Sequence, residues 1–153
     1  MAKKPIKFTG DEGDDVFRGD VRDNIIRGEG GNDTLAGAGG NDRIFGGEGN
    51  DTLRGNAGAD RLDGSEGDDF LFGGAGDDLI IAKAGNDFIN GGAGDDLLVL
   101  DGVLAEWQVE QLDGTWTLTR GDQNVMFKNI ELLRFDDGVV ETEIHGPLID
   151  GLI

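Results

Sequence analysis

The 153-residue chain has no cysteine and no tyrosine, only two prolines (Pro5 and Pro147), and a single histidine, His145. Without cysteine there are no disulfide staples, no thiol nucleophile and no thiolate metal site. One histidine leaves zinc or copper almost without ligands, and no G-x-S-x-G elbow is present. Basic residues are scarce as well: 13 Lys and Arg stand against 32 Asp and Glu, for a formal net charge of −19. A charge of that sign repels nucleic acid and anionic lipid, so neither is expected as a direct partner. No apolar run approaches the ~18 residues of a membrane span, and no membrane insertion is expected. The opening stretch, Met1 to Phe8, has a basic flank but no apolar region behind it, unlike a secretory signal peptide.

Glycine is abundant, at 29 positions, yet it follows no three-residue rule, which excludes a collagen helix. From Gly10 to Val99 the chain divides instead into ten nonapeptides without insertion or deletion. They begin at Gly10, Gly19, Gly28, Gly37, Gly46, Gly55, Gly64, Gly73, Ala82 and Gly91. Position four is glycine except at Arg22, and position six is Asp except at Asn24. Position eight is apolar throughout: Phe17, Ile26, Leu35, Ile44, Leu53, Leu62, Leu71, Ile80, Ile89 and Leu98. A flexible linker would not hold three columns in phase for so long.

Glycines at positions one and four predict a compact turn over the first six residues of each copy. The last three, such as Thr34-Leu35-Ala36, predict a very short strand whose central side chain points inward. A single copy cannot bury that side chain. Two copies make one 18-residue coil with a strand on each side, and coils stack about 4.8 Å apart, the ordinary strand spacing. Five coils give a stack roughly 24 Å long by the same spacing.

Copies such as Gly46-Gly47-Glu48-Gly49-Asn50-Asp51-Thr52-Leu53-Arg54 and Gly73-Gly74-Ala75-Gly76-Asp77-Asp78-Leu79-Ile80-Ile81 resemble the repeat of the RTX (repeats-in-toxin) family. Gly91 to Val99 is similar. The resemblance implies an all-β fold, a right-handed parallel β-roll that binds calcium. It also implies an extracellular bacterial protein handled by type I secretion machinery, without an N-terminal signal peptide. The expected organisation is an arm over 1–9, the roll over 10–99, a β-rich cap over 100–140, and a tail over 141–153 that forms part of a secretion region.

The chemistry favours Ca²⁺ independently, because carboxylates and carbonyls are hard oxygen ligands and calcium tolerates irregular coordination. The expected ligands are Asp15, Asp33, Asp42, Asp51, Asp60, Asp69, Asp78, Asp87 and Asp96, with backbone carbonyls of the turns around Gly28, Gly37, Gly46, Gly55, Gly64, Gly73 and Gly91. Alternate copies share an edge, so Asp33, Asp51, Asp69 and Asp87 line one side and Asp42, Asp60, Asp78 and Asp96 the other. Same-edge neighbours leave at most eight gaps. The second copy, with Arg22 and Asn24, offers a weak gap that Arg22 is expected to fill with charge, which leaves about seven ions. Ala82 predicts a slightly strained site at Asp87. Residues at position five are expected to cap neighbouring amides, and Asp11, Asp20 and Asp63 to be solvated surface charges.

Positions seven and nine should face outward, and in later copies they carry Phe70, Phe72, Phe88 and other apolar groups. These predict a cover, for which the C-terminal segment is the nearest candidate. That segment changes period: Glu106–Glu110 and Thr115–Thr119 alternate around Asp113-Gly114 and predict a hairpin, with a second turn at Asp137-Gly138. Asn129 to Gly138 resembles a capping segment that often follows RTX repeats.

No catalytic constellation is legible, since evenly spaced carboxylates lack the differentiated pair that acid–base chemistry needs. The leading expectation is a non-enzymatic module that stays unfolded at low calcium and folds outside the cell. The alternatives are a module that binds an acidic polysaccharide such as alginate, through Arg43, Arg61, Arg54 and Arg27, and a calcium-dependent adhesion module.

Overall fold

The structure, a computed structural model, describes residues 4–141. It is an all-β solenoid of about five coils between two sheets of eight strands each. One sheet stacks β1 (Lys7–Thr9), β3 (Ile25–Gly30), β5 (Arg43–Glu48), β7 (Arg61–Glu66), β9 (Leu79–Ile81) and β11 (Leu97–Val99) in parallel. The other stacks β2 (Val16–Arg18), β4 (Thr34–Gly39), β6 (Thr52–Ala57), β8 (Phe70–Ala75) and β10 (Asp87–Ala93), also in parallel. Every pairing is offset by 18 residues, as in Ile26 with Ile44 and Leu35 with Leu53.

Position eight builds the core. Ile26, Leu35, Ile44, Leu53, Leu62, Leu71, Ile80, Ile89 and Leu98 are each fully buried. Phe17, in the first coil, is only partly covered and stacks on Phe8 with ring centroids 4.1 Å apart. The cause is position in the stack: the first coil has no complete neighbour on its outer side.

Two local expectations need correction. Full strands run six residues rather than three, because pairing resumes at positions two and three; Glu29 pairs with Gly47 and Gly30 with Glu48, while position one is skipped. The left-handed backbone falls at positions two and four, not one and four. At position two it is borne even by Glu29 (φ 80°), Ala38 (φ 87°), Asn56 (φ 77°) and Ser65 (φ 76°), at a cost of roughly 1–2 kcal/mol each. Position one needs glycine for a different reason, close approach, developed below.

The C-terminal segment does not cover the outer faces. It lengthens the sheets instead. β14 (Gln123–Lys128) pairs in parallel with β10, and β15 (Leu132–Phe135) pairs in parallel with β11. β12 (Gln108–Leu112) and β13 (Thr115–Arg120) form the expected hairpin around Asp113 and Gly114, both at positive φ, which continues the sheet antiparallel to β14. A 3₁₀ turn over Leu104–Glu106 precedes β12, so that strand begins at Gln108 rather than Glu106. β16 (Gly138–Glu141) closes the other sheet. Trp107, Trp116, Phe127 and Phe135 are buried in the core of this segment, with Trp116 stacked on Phe127. Phe70 therefore remains 52% exposed, its ring tilted against that of Phe88 with centroids 6.2 Å apart. The tail beyond Glu141, including His145, lies outside the described residues.

The core predicts a sharp contrast between positions eight and seven. Leu53→Ala should cost about 2–5 kcal/mol in calcium-saturated buffer, whereas Val16→Ala, at an exposed position, should stay within about 0.5 kcal/mol. Denaturant unfolding of the two variants measures both.

Candidate metal centre

The position-six residues form two lines along the solenoid. The backbone N–H of Asp15 donates to Asp33 Oδ1 (2.8 Å), Asp33 to Asp51 (2.8 Å), Asp51 to Asp69 (2.8 Å) and Asp69 to Asp87 (3.0 Å). On the other edge Asn24 donates to Asp42 (2.7 Å), Asp42 to Asp60 (2.7 Å), Asp60 to Asp78 (2.8 Å) and Asp78 to Asp96 (2.9 Å). The strict 18-residue offset makes each carboxylate reach back to the coil before it. Position five stitches the coils in the opposite sense: Asn50 N–H donates to Asn32 Oδ1, Asp68 to Asn50 and Asn86 to Asp68. These are the amide caps expected there.

The inner line is left half satisfied. Asp33, Asp42, Asp51, Asp60, Asp78, Asp87 and Asp96 are almost wholly buried, and the Oδ2 of each has no hydrogen-bond partner. The Oδ2 atoms of Asp33, Asp51, Asp60 and Asp78 lie where a Cβ on the position-one glycine of the same copy would go, beside the position-one carbonyl of the next coil. A Cβ at Gly46 would overlap Asp51 Oδ2 and sit 2.8 Å from the Gly64 carbonyl; at Gly55 it would meet Asp60 Oδ2 and the Gly73 carbonyl. Position one is glycine to let these oxygens crowd together. Buried anionic oxygens facing carbonyl oxygens repel, and only a cation or a proton relieves them.

The electrostatics follow. Burial pushes the carboxyls of Asp51, Asp69 and Asp78 up to about 7 and those of Asp42, Asp87 and Asp96 to about 6, from an ordinary 3.8. The backbone N–H on each Oδ1 opposes the rise, and neighbouring carboxylates add to it. Asp33 and Asp60 are raised for the same reasons.

Asn24 marks the cage that a cation would fill. Its Nδ2 donates to the carbonyls of Asp20 (3.2 Å), Arg22 (2.6 Å) and Gly37 (3.2 Å) and to Asp42 Oδ1 (2.9 Å). An amide with positive hydrogens thus binds three carbonyls and a carboxylate between the second and fourth copies. This corrects the role expected of Arg22, which turns outward to pair with Asp20 (2.6 Å) and to donate to the Lys4 carbonyl. The plug is the neutral Asn24 side chain.

Other candidates are placed differently from one another. Asp15 is half-buried and its Oδ2 accepts from Asp11 N–H (3.0 Å), so the first odd position differs from the rest. At Ala82, strand β9 has ended after three residues, as β11 does, whereas β7 on its other side runs for six. Asp63 is not a solvated charge: it is buried on the outer face, held by Lys83 (3.0 Å), Arg61 (3.3 Å) and Ser65 Oγ (3.1 Å). Arg43 and Arg61 do pair in register, but Arg54 lies on the opposite sheet. Arg27 and Arg61 stack on Phe45, and Arg54 stacks on Phe72. The four arginines do not form one patch.

Among the described residues no three acidic or histidine side chains converge on one point. Each gap between two position-six aspartates offers two carboxylates and the surrounding carbonyls, an all-oxygen donor set that fits Ca²⁺ and its irregular coordination. Two residues escaped the sequence reading. Glu131 Oε2 accepts from Asp96 N–H (2.8 Å), and the Asn129 carbonyl lies where a Cβ on Gly91 would go. The signal for Glu131 was its position directly before Leu132-Leu133, as Asp96 precedes Leu97-Leu98.

No described helix is long and apolar enough to cross a membrane. No curated protein matches the chain. Among solved structures, it is similar to an extracellular lipase, LipA from Serratia marcescens, at 16% identity and a TM-score of 0.34. That likeness covers 85% of this chain and 38% of the lipase, so the chain spans well under half of that protein's length. The family model of the RTX calcium-binding nonapeptide repeat matches four times, over residues 9–44, 37–71, 45–80 and 72–102. With more than half its length so matched, the chain belongs to the RTX calcium-binding repeat family.

Proposed function

We propose that this calcium-binding module is a folding scaffold for a secreted protein, unfolded where calcium is scarce and folded where it is plentiful. The observation that carries the reading is the set of seven buried, unpartnered Oδ2 atoms of the position-six aspartates. Charges about 5 Å apart repel by roughly 3 kcal/mol at an effective dielectric near 20. Summed along two columns, that repulsion exceeds what a single-file core offsets, so the metal-free roll should not hold. Calcium between successive coils reverses the sign of the interaction, which makes metal binding and folding one equilibrium. Weak sites fill at the millimolar calcium of extracellular fluids. An unfolded chain inside the cell suits passage through a type I secretion channel, and folding outside then prevents return. No catalytic role is proposed, and the scattered arginines favour the scaffold over a grip on polysaccharide.

Far-ultraviolet circular dichroism during a calcium titration tests the reading. Sheet signal should be weak in chelator and rise cooperatively with calcium, and magnesium at equal concentration should not replace it, because its octahedron fits an irregular cage poorly. A full sheet spectrum in chelator would defeat the proposal.

Asn24 gives a second test. The repeat gaps suit about seven ions, with the eighth occupied by an amide. Asn24→Asp should convert that plug into a ligand and add one bound ion per chain by native mass spectrometry, with a higher calcium requirement for folding.

Acidity gives a third. The folded carboxyls take protons more readily than the unfolded ones, with values near 6–7 against 3.8. Stability of the metal-free fold is therefore present below pH 3.8 and lost as pH rises through 7. Protons also compete with calcium. Lowering pH from about 7.5 to about 5.5 should raise the calcium midpoint by about tenfold or more, while sheet content in chelator increases.

A further inference from the structure

We infer that Glu131, outside the repeats, completes one more calcium site by acting as the position-six acid of a missing copy on the even-numbered edge. The inference rests on the calcium reading above and adds a residue and a site to it. β15 continues β11 in register, with Leu97 opposite Leu132 and Leu98 opposite Leu133. Glu131 therefore stands to Leu132 as Asp96 stands to Leu97. The hydrogen bonds agree: Asp96 N–H donates to Glu131 Oε2 (2.8 Å), as Asp78 N–H donates to Asp96 Oδ1 (2.9 Å), and Leu132 N–H donates to the Asp96 carbonyl (3.0 Å), as Leu97 N–H donates to the Asp78 carbonyl (2.8 Å).

The remaining oxygens of the gap are also present. Asp96 is fully buried, and its Oδ2 has no partner. A Cβ on Gly91 would meet both that Oδ2 and the Asn129 carbonyl, just as one on Gly73 would meet Asp78 Oδ2 and the Gly91 carbonyl. Asn129 adopts a left-handed backbone (φ 52°) between β14 and β15. Its carbonyl thus takes the place of the next coil's position-one carbonyl.

The opposite edge shows the contrast. There β14 sets Val125 opposite Asp87, and Val125 is fully buried. The odd column ends on an apolar side chain and offers a single carboxylate in its last gap. The even column ends on an acid. Consequently the last even gap holds two carboxylates and a carbonyl, the donor set of the gaps inside the roll, and the C-terminal segment is tied to the repeats by metal as well as by strand pairing.

Glu131→Gln keeps an acceptor for Asp96 N–H while removing the charge, so it separates the ligand from the anchor. In the full chain at saturating calcium, with folding verified by circular dichroism, native mass spectrometry should show one ion fewer than wild type. An unchanged ion count with an unchanged calcium midpoint would overturn the inference. If the variant does not fold, long-wavelength anomalous diffraction from calcium-grown wild-type crystals decides: density between Asp96 and Glu131 supports the site. Density in the repeat turns but none there overturns this inference alone, whereas density in neither overturns the calcium reading itself.

Discussion

A carboxylate oxygen sealed from water and pressed against carbonyl oxygens is the constraint from which the rest of this molecule follows. It recurs every nine residues because the chain reaches back 18 residues for its hydrogen bonds, using Oδ1 of each position-six aspartate and leaving Oδ2 unmatched. Proteins of this size rest on a margin of roughly 5–15 kcal/mol, and several uncompensated buried anions consume that margin. The core is one side chain per copy deep, so packing does not rescue it. A cation between successive aspartates would.

Glycine and the acidic column are two halves of one device. Where position one is glycine, as at Gly46, Gly55 and Gly73, Oδ2 of the same copy and a carbonyl of the next coil occupy the space where a Cβ would lie. The four acceptors around the Asn24 amide show what such a cage requires: positive hydrogens or a positive ion at its centre. Where the chain dispenses with the metal it substitutes a donor. Where it leaves the repeat it substitutes Glu131 for Asp and the Asn129 carbonyl for a glycine carbonyl.

The period alone carried the coil size, the two edges, the inward column from Ile26 to Leu98 and the grouping of the aspartates. All of these depend only on spacing. What spacing does not encode is contact between copies. The left-handed angle at Glu29 and Ser65 was hidden because those residues carry no backbone signature, and Asp63 looked solvated because its closer partner, Lys83, lies three copies further along the chain. The same limit concealed the Asn24 plug, whose partner Asp42 lies one coil away, and misplaced Arg22. The cap was legible as strands and a hairpin, but its docking was not. Apolar outer positions suggested a cover, whereas edge pairing to β10 and β11 satisfies the exposed backbone of the last coil more completely.

If repulsion within the acidic columns is what keeps the metal-free chain open, then neutralising a column with the side chain that the protein already uses should close it. The most direct measurement is the far-ultraviolet circular dichroism, in chelator, of a chain carrying Asn at positions 42, 60, 78 and 96 in place of Asp. Each amide is expected to act as Asn24 does, so sheet structure should persist without calcium while the wild-type chain remains open. A variant as unfolded as wild type in chelator would contradict the electrostatic account, as would a wild-type chain already folded there.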